Sequence, residues 1–149
     1  MRRGEVAGLR WPDVDLEVGR ASPRWPRVVV NYEVVVSEPK TQKGRRSLAL
    51  DPATVAALRE HRTRQLEQRL AVGPRWQESG LVSTWPDGRP IHPERFSRWF
   101  EQHAHAASLP MIRLHDVRHS SATAALAAGV PAKVVSERLG HANIAITMD

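Results

Sequence analysis

The residues with the clearest chemical potential lie in one run, Leu114-His115-Asp116-Val117-Arg118-His119. His115 and Arg118 stand three apart, so on a helix they share a face and could address one small anionic group. An imidazole gives or takes a proton near neutral pH, and a guanidinium adds fixed charge and a donor fork. Together they suit a phosphate. His115 and His119, at i and i+4, also look like a helical zinc pair. Against that, Arg118 would sit beside the cation, the intervening acid is Asp116 rather than a glutamate, and no third ligand has a suitable spacing. Neither a metal nor another cofactor is therefore expected. Farther on, Leu139-Gly140-His141 puts another imidazole at a glycine-permitted helix end, where a histidine alone is no more than a partner for the helix dipole.

Such a pair needs a protein around it, and 149 residues are enough for about one domain. The 22 Lys+Arg against 16 Asp+Glu give a net charge of +6. Only Lys40, Lys43 and Lys133 are lysines, leaving 19 arginines, the residue suited to bidentate phosphate contacts. This balance points to an anionic partner, nucleic acid before a merely basic surface. The absence of cysteine removes disulfides, thiolate metal sites and cysteine nucleophiles. No apolar stretch approaches the ~20 residues that span a bilayer. The start, Met1-Arg2-Arg3-Gly4-Glu5-Val6, lacks the apolar run of a secretory signal. The expectation is a cytoplasmic protein without a membrane partner.

The elements that must position these groups follow from pattern. Residues 2–9 have helical spacing, broken at Trp11-Pro12. Residues 27–37 (RVVVNYEVVVS) are rich in β-branched residues and read as one strand, with a second at 46–50 (RSLAL). Residues 38–45 between them, holding Lys40, Lys43 and Arg45, then form the basic tip of a β-hairpin. Asp51 and Pro52 open a helix whose Val55, Leu58, Leu66 and Leu70 share one face; Gly73-Pro74 ends it. A short strand at 81–85 and a turn at 86–90 precede a helix from Pro93, with Phe96, Trp99 and Phe100 as a core stripe. Residues 114–128 are helical, Gly129 stops them, Pro131 starts a short helix to Leu139, and residues 143–149 begin another. The fold class is α+β: mainly helical, with a small antiparallel hairpin or sheet.

In this order the residues resemble the tyrosine recombinases, or phage integrases, over essentially the whole chain. Arg2-Arg3-Gly4-Glu5, followed by Leu9, Trp11 and Asp13-Val14-Asp15, is similar to the family's first-arginine box. Pro39-Lys40-Thr41, followed by Arg46 and Leu48, is similar to its lysine box. Residues 114–119 match its His-x-x-Arg box, and 129–141 match the segment after it. The resemblance implies metal-free phosphoryl transfer: a tyrosine attacks a phosphodiester of double-stranded DNA, and the 3′-phosphotyrosine is later resolved onto another strand. It implies catalytic roles for five positions. Arg2 and Arg118 would clamp the nonbridging oxygens, and Lys40 would protonate the departing 5′-oxygen. His115 would assist proton transfer, and His141 would bond a phosphate oxygen. Glu5 would orient Arg2 or form a surface ion pair. Arg3, Lys43, Arg45 and Arg46 would be DNA-backbone contacts or solvated charge.

Two departures qualify the likeness. The family's tyrosine follows the glycine-histidine box by about nine or ten residues, which places the expected nucleophile beyond Asp149. The only tyrosine of this chain is Tyr32, in the middle of the first strand, where it reads as a packing aromatic. Nothing before Arg2 corresponds to the family's core-binding domain. Residues 1–149 are thus expected to be a catalytic-domain fragment without that domain and without the tyrosine segment. Two functions follow: site-specific recombination and integration of DNA as the family activity, with assembly as a homo-oligomer on DNA, or a non-catalytic DNA-binding remnant of an integrase.

Overall fold

In the computed structural model, which describes residues 1–37 and 46–139, the chain opens on a short helix α1 (Arg3–Gly8). Its first turn is closed by its own sequence: the Glu5 carboxylate accepts the Arg2 backbone N–H at 2.7 Å, satisfying a donor that the helix cannot. Gly4 and Gly8, one turn apart, form a flat face against the chain at Trp25–Arg27. A Cβ on Gly4 would lie 2.7 Å from the Arg27 carbonyl oxygen, and one on Gly8 only 1.9 Å from that of Trp25. A 3₁₀ turn (Trp11–Asp13) follows, as the proline there dictates.

Three two-residue strands, β1 (Val14–Asp15), β2 (Arg20–Ala21) and β5 (Leu48–Ala49), form an antiparallel sheet in the order β1-β2-β5. Ala21 pairs with Val14 on one side and Leu48 on the other. A separate hairpin joins β3 (Arg27–Val30) to β4 (Glu33–Val36), with Val28 opposite Val35 and Val30 opposite Glu33. Two expectations are corrected here. The run 27–37 is two strands rather than one, and 46–50 pairs with β2 rather than with that run. Asn31 and Tyr32 both have left-handed backbones, at φ 49° and 66°, which makes the two-residue turn whose twist suits a hairpin. Tyr32 is therefore a turn residue, 99% exposed, and not a strand-packing aromatic. Residues 38–45, expected as the hairpin tip, lie outside the described residues, as do residues 143–149 of the expected last helix.

Helix α2 (Pro52–Val72) begins as its sequence requires, with the Asp51 carboxylate accepting the Thr54 N–H and Oγ–H at 2.9 and 2.7 Å and Pro52 at the first position. Its inward face differs from the apolar stripe. Leu58 packs against the core of Leu9, Val14, Ala21 and Val82, but Leu66 and Leu70 are exposed, and the buried residue is Gln65. The Gln65 amide accepts from Trp11 Nε1 at 2.6 Å and donates toward the Thr84 hydroxyl at 2.8 Å and the Leu81 and Val82 carbonyls at 3.2 and 3.3 Å. A polar fixture, not leucine burial, seats this end of α2. Replacing Gln65 by Leu should strand the Trp11 indole N–H and cost about 2 kcal/mol in urea-derived unfolding free energy; an unchanged midpoint would show that α2 is held otherwise. The expected strand at 81–85 supplies only isolated bridges, Arg10 with Leu81 and Thr84 with Pro90.

On helix α3 (Pro93–Ala106) Phe96, Trp99 and Phe100, expected as a core stripe, are half-buried, and Trp99 meets Trp85 and Phe96 edge-on, with ring centroids 5.7 and 6.0 Å away. Helix α4 (Leu114–Ala127) starts where Asp116 accepts the Arg113 N–H at 3.0 Å. It ends at Gly129, φ 80°, whose N–H bonds the Leu126 carbonyl. Helix α5 (Ala132–Leu139) then buries Val135 and Ser136. Helix α1 packs on both α3 and β3, and α4 packs between α3 and α5. None of the described helices is long and apolar enough to cross a membrane.

Candidate phosphate-binding site

The start of α1, the middle of α3 and the first turns of α4 enclose a cleft of about 390 Å³ lined by Arg2, Arg3, Ser97, Leu114, His115 and Arg118. Residues more than 100 positions apart in sequence thus meet through the packing of three helices. The close Gly4 and Gly8 contacts fix α1, and the capping of α4 by Asp116 fixes the turn that bears His115 and Arg118.

Arg118 is 9% exposed. Its Nη2 donates to the Leu139 carbonyl at the end of α5, while Nη1 is buried and has no hydrogen-bond partner among the described residues. Burial, and next the nearby Arg2 and Arg46 charges, push this guanidinium down to about 10, with Glu5 opposing them. It remains a cation at neutral pH, poorly solvated and with a donor unspent. An anion in the cleft would meet that donor.

Glu5 is the counter-charge. Its side chain is 8% exposed, and it accepts from Arg46 Nη1 and Nη2 at 3.1 and 2.9 Å and from Arg2 Nη1 at 3.4 Å. Burial alone would raise its carboxyl, but the hydrogen bonds from Arg46 and the Arg2 backbone, with both cationic charges, hold it below the ordinary glutamate value. Of the two readings left open for Glu5, the structure shows a buried carboxylate bonded to Arg2. Of the two readings left open for Arg46, solvated charge does not hold: its side chain is 8% exposed and paired with Glu5. Composition and local spacing could not reveal this, because the partners are 41 residues apart.

His115 is exposed at the cleft and stands beside His119, Nε2 to Nε2 3.1 Å, with the rings edge to face. Arg3 reaches Ser97 Oγ at 3.4 Å on the rim. Ser97 is not legible as a site residue in the sequence; a lone serine on an amphipathic helix carries no signal. The structure therefore brings together Arg2, Arg3, His115 and Arg118. Lys40, Lys43, Arg45 and His141 lie outside the described residues. Among the described residues, no group of three His, Asp or Glu side chains is placed to hold a metal ion. The lone tyrosine, Tyr32, does not line the cleft.

The fold matches solved recombinase structures. The integrase of transposon Tn1549, solved in complex with circular intermediate DNA, is 20% identical with a TM-score of 0.80, covering 99% of this chain and 50% of that one. The XerA recombinase gives a TM-score of 0.74 at 22% identity, over 99% and 46% of the respective chains. The family model described as "Phage integrase family" matches residues 1–149, and the chain belongs to that family.

Among named relatives, a XerC-like tyrosine recombinase of Caldanaerobacter subterraneus is 32% identical over 99% of this chain and 41% of its own length. The putative prophage phiRv2 integrase of Mycobacterium tuberculosis is 33% identical over 95% of this chain and 36% of its own. The ICEBs1 integrase of Bacillus subtilis is 29% identical over 100% and 40%. The chain thus spans about four-tenths of the length of these relatives.

Proposed function

We propose that these residues form the phosphodiester-binding part of a tyrosine recombinase acting in site-specific recombination and integration of double-stranded DNA. The observation that carries this reading is the buried Nη1 of Arg118, without a partner among the described residues, in a cleft shared with Arg2 and His115. The likeness in fold to the Tn1549 integrase, which was solved bound to DNA, supports it.

In the proposed reaction, the nonbridging oxygens gain charge as the phosphorus becomes pentacoordinate. Arg118 and Arg2 stabilise that charge from fixed positions, at no reorganisation cost during the step. His115, at the cleft edge, exchanges a proton with the attacking or departing tyrosine oxygen. Lys40 and His141 complete the set by resemblance, as leaving-group acid and as a hydrogen-bond partner of a phosphate oxygen. Lys43 and Arg45 join Arg3 along the DNA backbone.

A second reading is favoured by the place of Tyr32. With this tyrosine on the β3–β4 turn and not among the cleft residues, the described residues bind DNA without cleaving it. Incubation with a nicked suicide duplex separates the two. A covalent protein–DNA adduct formed by the 149-residue chain would refute binding without cleavage. Binding itself has a signature. If Arg2, Arg3 and Arg118 each neutralise one phosphate, log affinity falls against log salt with a slope of about −2.7, or roughly 40-fold between 50 and 200 mM. A flat salt response would remove the phosphate clamp.

A further inference from the structure

A buried ion pair beside the cleft links two distant parts of the chain: Glu5 on α1 and Arg46, the first described residue after the 38–45 segment. The carboxylate is a junction. Oε1 accepts from Arg46 Nη1 and from Arg2 Nη1, while Oε2 accepts from Arg46 Nη2 and from the Arg2 backbone N–H. Arg46 thus commits both terminal nitrogens to Glu5, and its side chain is 8% exposed. A buried ion pair adds little net stability compared with apolar residues of the same volume, so stability is a poor account of why this one is here. What it supplies is geometry, since Glu5 is the atom-by-atom link from Arg46 to Arg2.

We infer that Arg46 is a positioning residue: it fixes the Glu5 carboxylate, which holds Arg2 beside Arg118, and it makes no DNA contact itself. This rests on the clamp role proposed for Arg2 and Arg118. Among the described residues, the charged groups that face Glu5 are Arg2, Arg46, Arg118 and the Met1 amino group, and only Arg46 meets it with a two-pronged fork.

Arg46→Lys keeps the charge and removes the fork, so it isolates the geometry. Two measurements on the 149-residue chain test the inference. In the first, the Glu5 carboxyl is titrated by carbon-13 NMR, assigned with Glu5→Gln. It should titrate below the ordinary glutamate range in the parent and about one pH unit or more higher in Arg46→Lys, because burial is then less fully opposed. An unmoved titration overturns the inference.

The second is a double-mutant cycle on affinity for a fluorescent DNA duplex at low salt. Arg2→Ala should weaken binding about tenfold and Arg46→Lys about fivefold, with the double variant still near tenfold, because both changes disable the same group. A multiplied loss near fiftyfold means that Arg46 contacts DNA directly, and no effect of Arg46→Lys means that it positions nothing; either overturns the inference. Should Arg46→Lys fail to fold, Arg46→Gln combined with Glu5→Gln, which removes both charges together, enters the cycle with the same expectation. If the parent chain binds no duplex, the clamp reading falls, while the Glu5 titration still decides whether Arg46 governs that carboxylate.

Discussion

Gly8→Ala should destabilise the domain by at least about 3 kcal/mol, the upper end of overpacking costs, because the new methyl would meet backbone that cannot rotate away. The Cβ position lies 1.9 Å from the Trp25 carbonyl oxygen, 2.9 Å from its carbon and 3.0 Å from the Arg27 nitrogen. Relief requires α1 to lift from the segment leading into β3, and α1 carries Glu5 and follows directly on Arg2. Stability and site geometry should therefore be lost together. A matched control is Gly129→Ala, where φ is 80° but nothing among the described residues lies within 4 Å of the added carbon. That change should cost only about 1 kcal/mol of backbone strain. Urea unfolding of both variants reads the difference directly. Equal midpoints would mean that the α1 contact is not rigid.

Arg118→Met should separate function from stability. Loss of the charge-assisted phosphate contacts proposed for it should weaken duplex binding about 30-fold or more, since hydrogen bonds to charged groups contribute about 1.5–3 kcal/mol each. The fold should not suffer in proportion. The folded value for this guanidinium, about 10, lies below the ordinary arginine range, so its charge opposes folding. That penalty is present in full at every pH below about 10 and fades only as the pH rises above it, so a measurement at pH 7 sees all of it. It is on the order of 3 kcal/mol, and it offsets the lost bond to the Leu139 carbonyl, worth about 1–3 kcal/mol. Unfolding free energy at pH 7 should therefore stay level or rise. A variant that is clearly less stable yet binds duplex normally would reverse the assignment of Arg118 as a strained phosphate ligand.

How far the sequence discloses this site depends on the range over which each signal acts. Asp51-Pro52 and Gly129 mark helix ends through contacts within four residues, and both boundaries fall where those residues place them. His115 and Arg118 are neighbours by helical spacing alone, so their shared cleft is legible too. Strand pairing is not. The valines of 27–37 are strand formers in any arrangement, and only the central Asn31-Tyr32, with the asparagine's tolerance of a left-handed backbone, hints that the run folds back on itself. The inward face of α2 escapes a reading by periodicity because Gln65 is selected by the indole of Trp11 and the carbonyls of Leu81 and Val82, none of which lies on that helix. Arg46 has the local sequence of any surface cation, and only the fold brings Glu5 to it.

The turn between β3 and β4 has a practical side. Tyr32 is the one phenol in the chain, wholly exposed and separate from the cleft lining. A phenol-selective reagent therefore has a single address, the tip of a hairpin whose base packs on α1. A dye placed there would report on the tumbling and neighbours of the domain while leaving Arg2, His115 and Arg118 chemically intact.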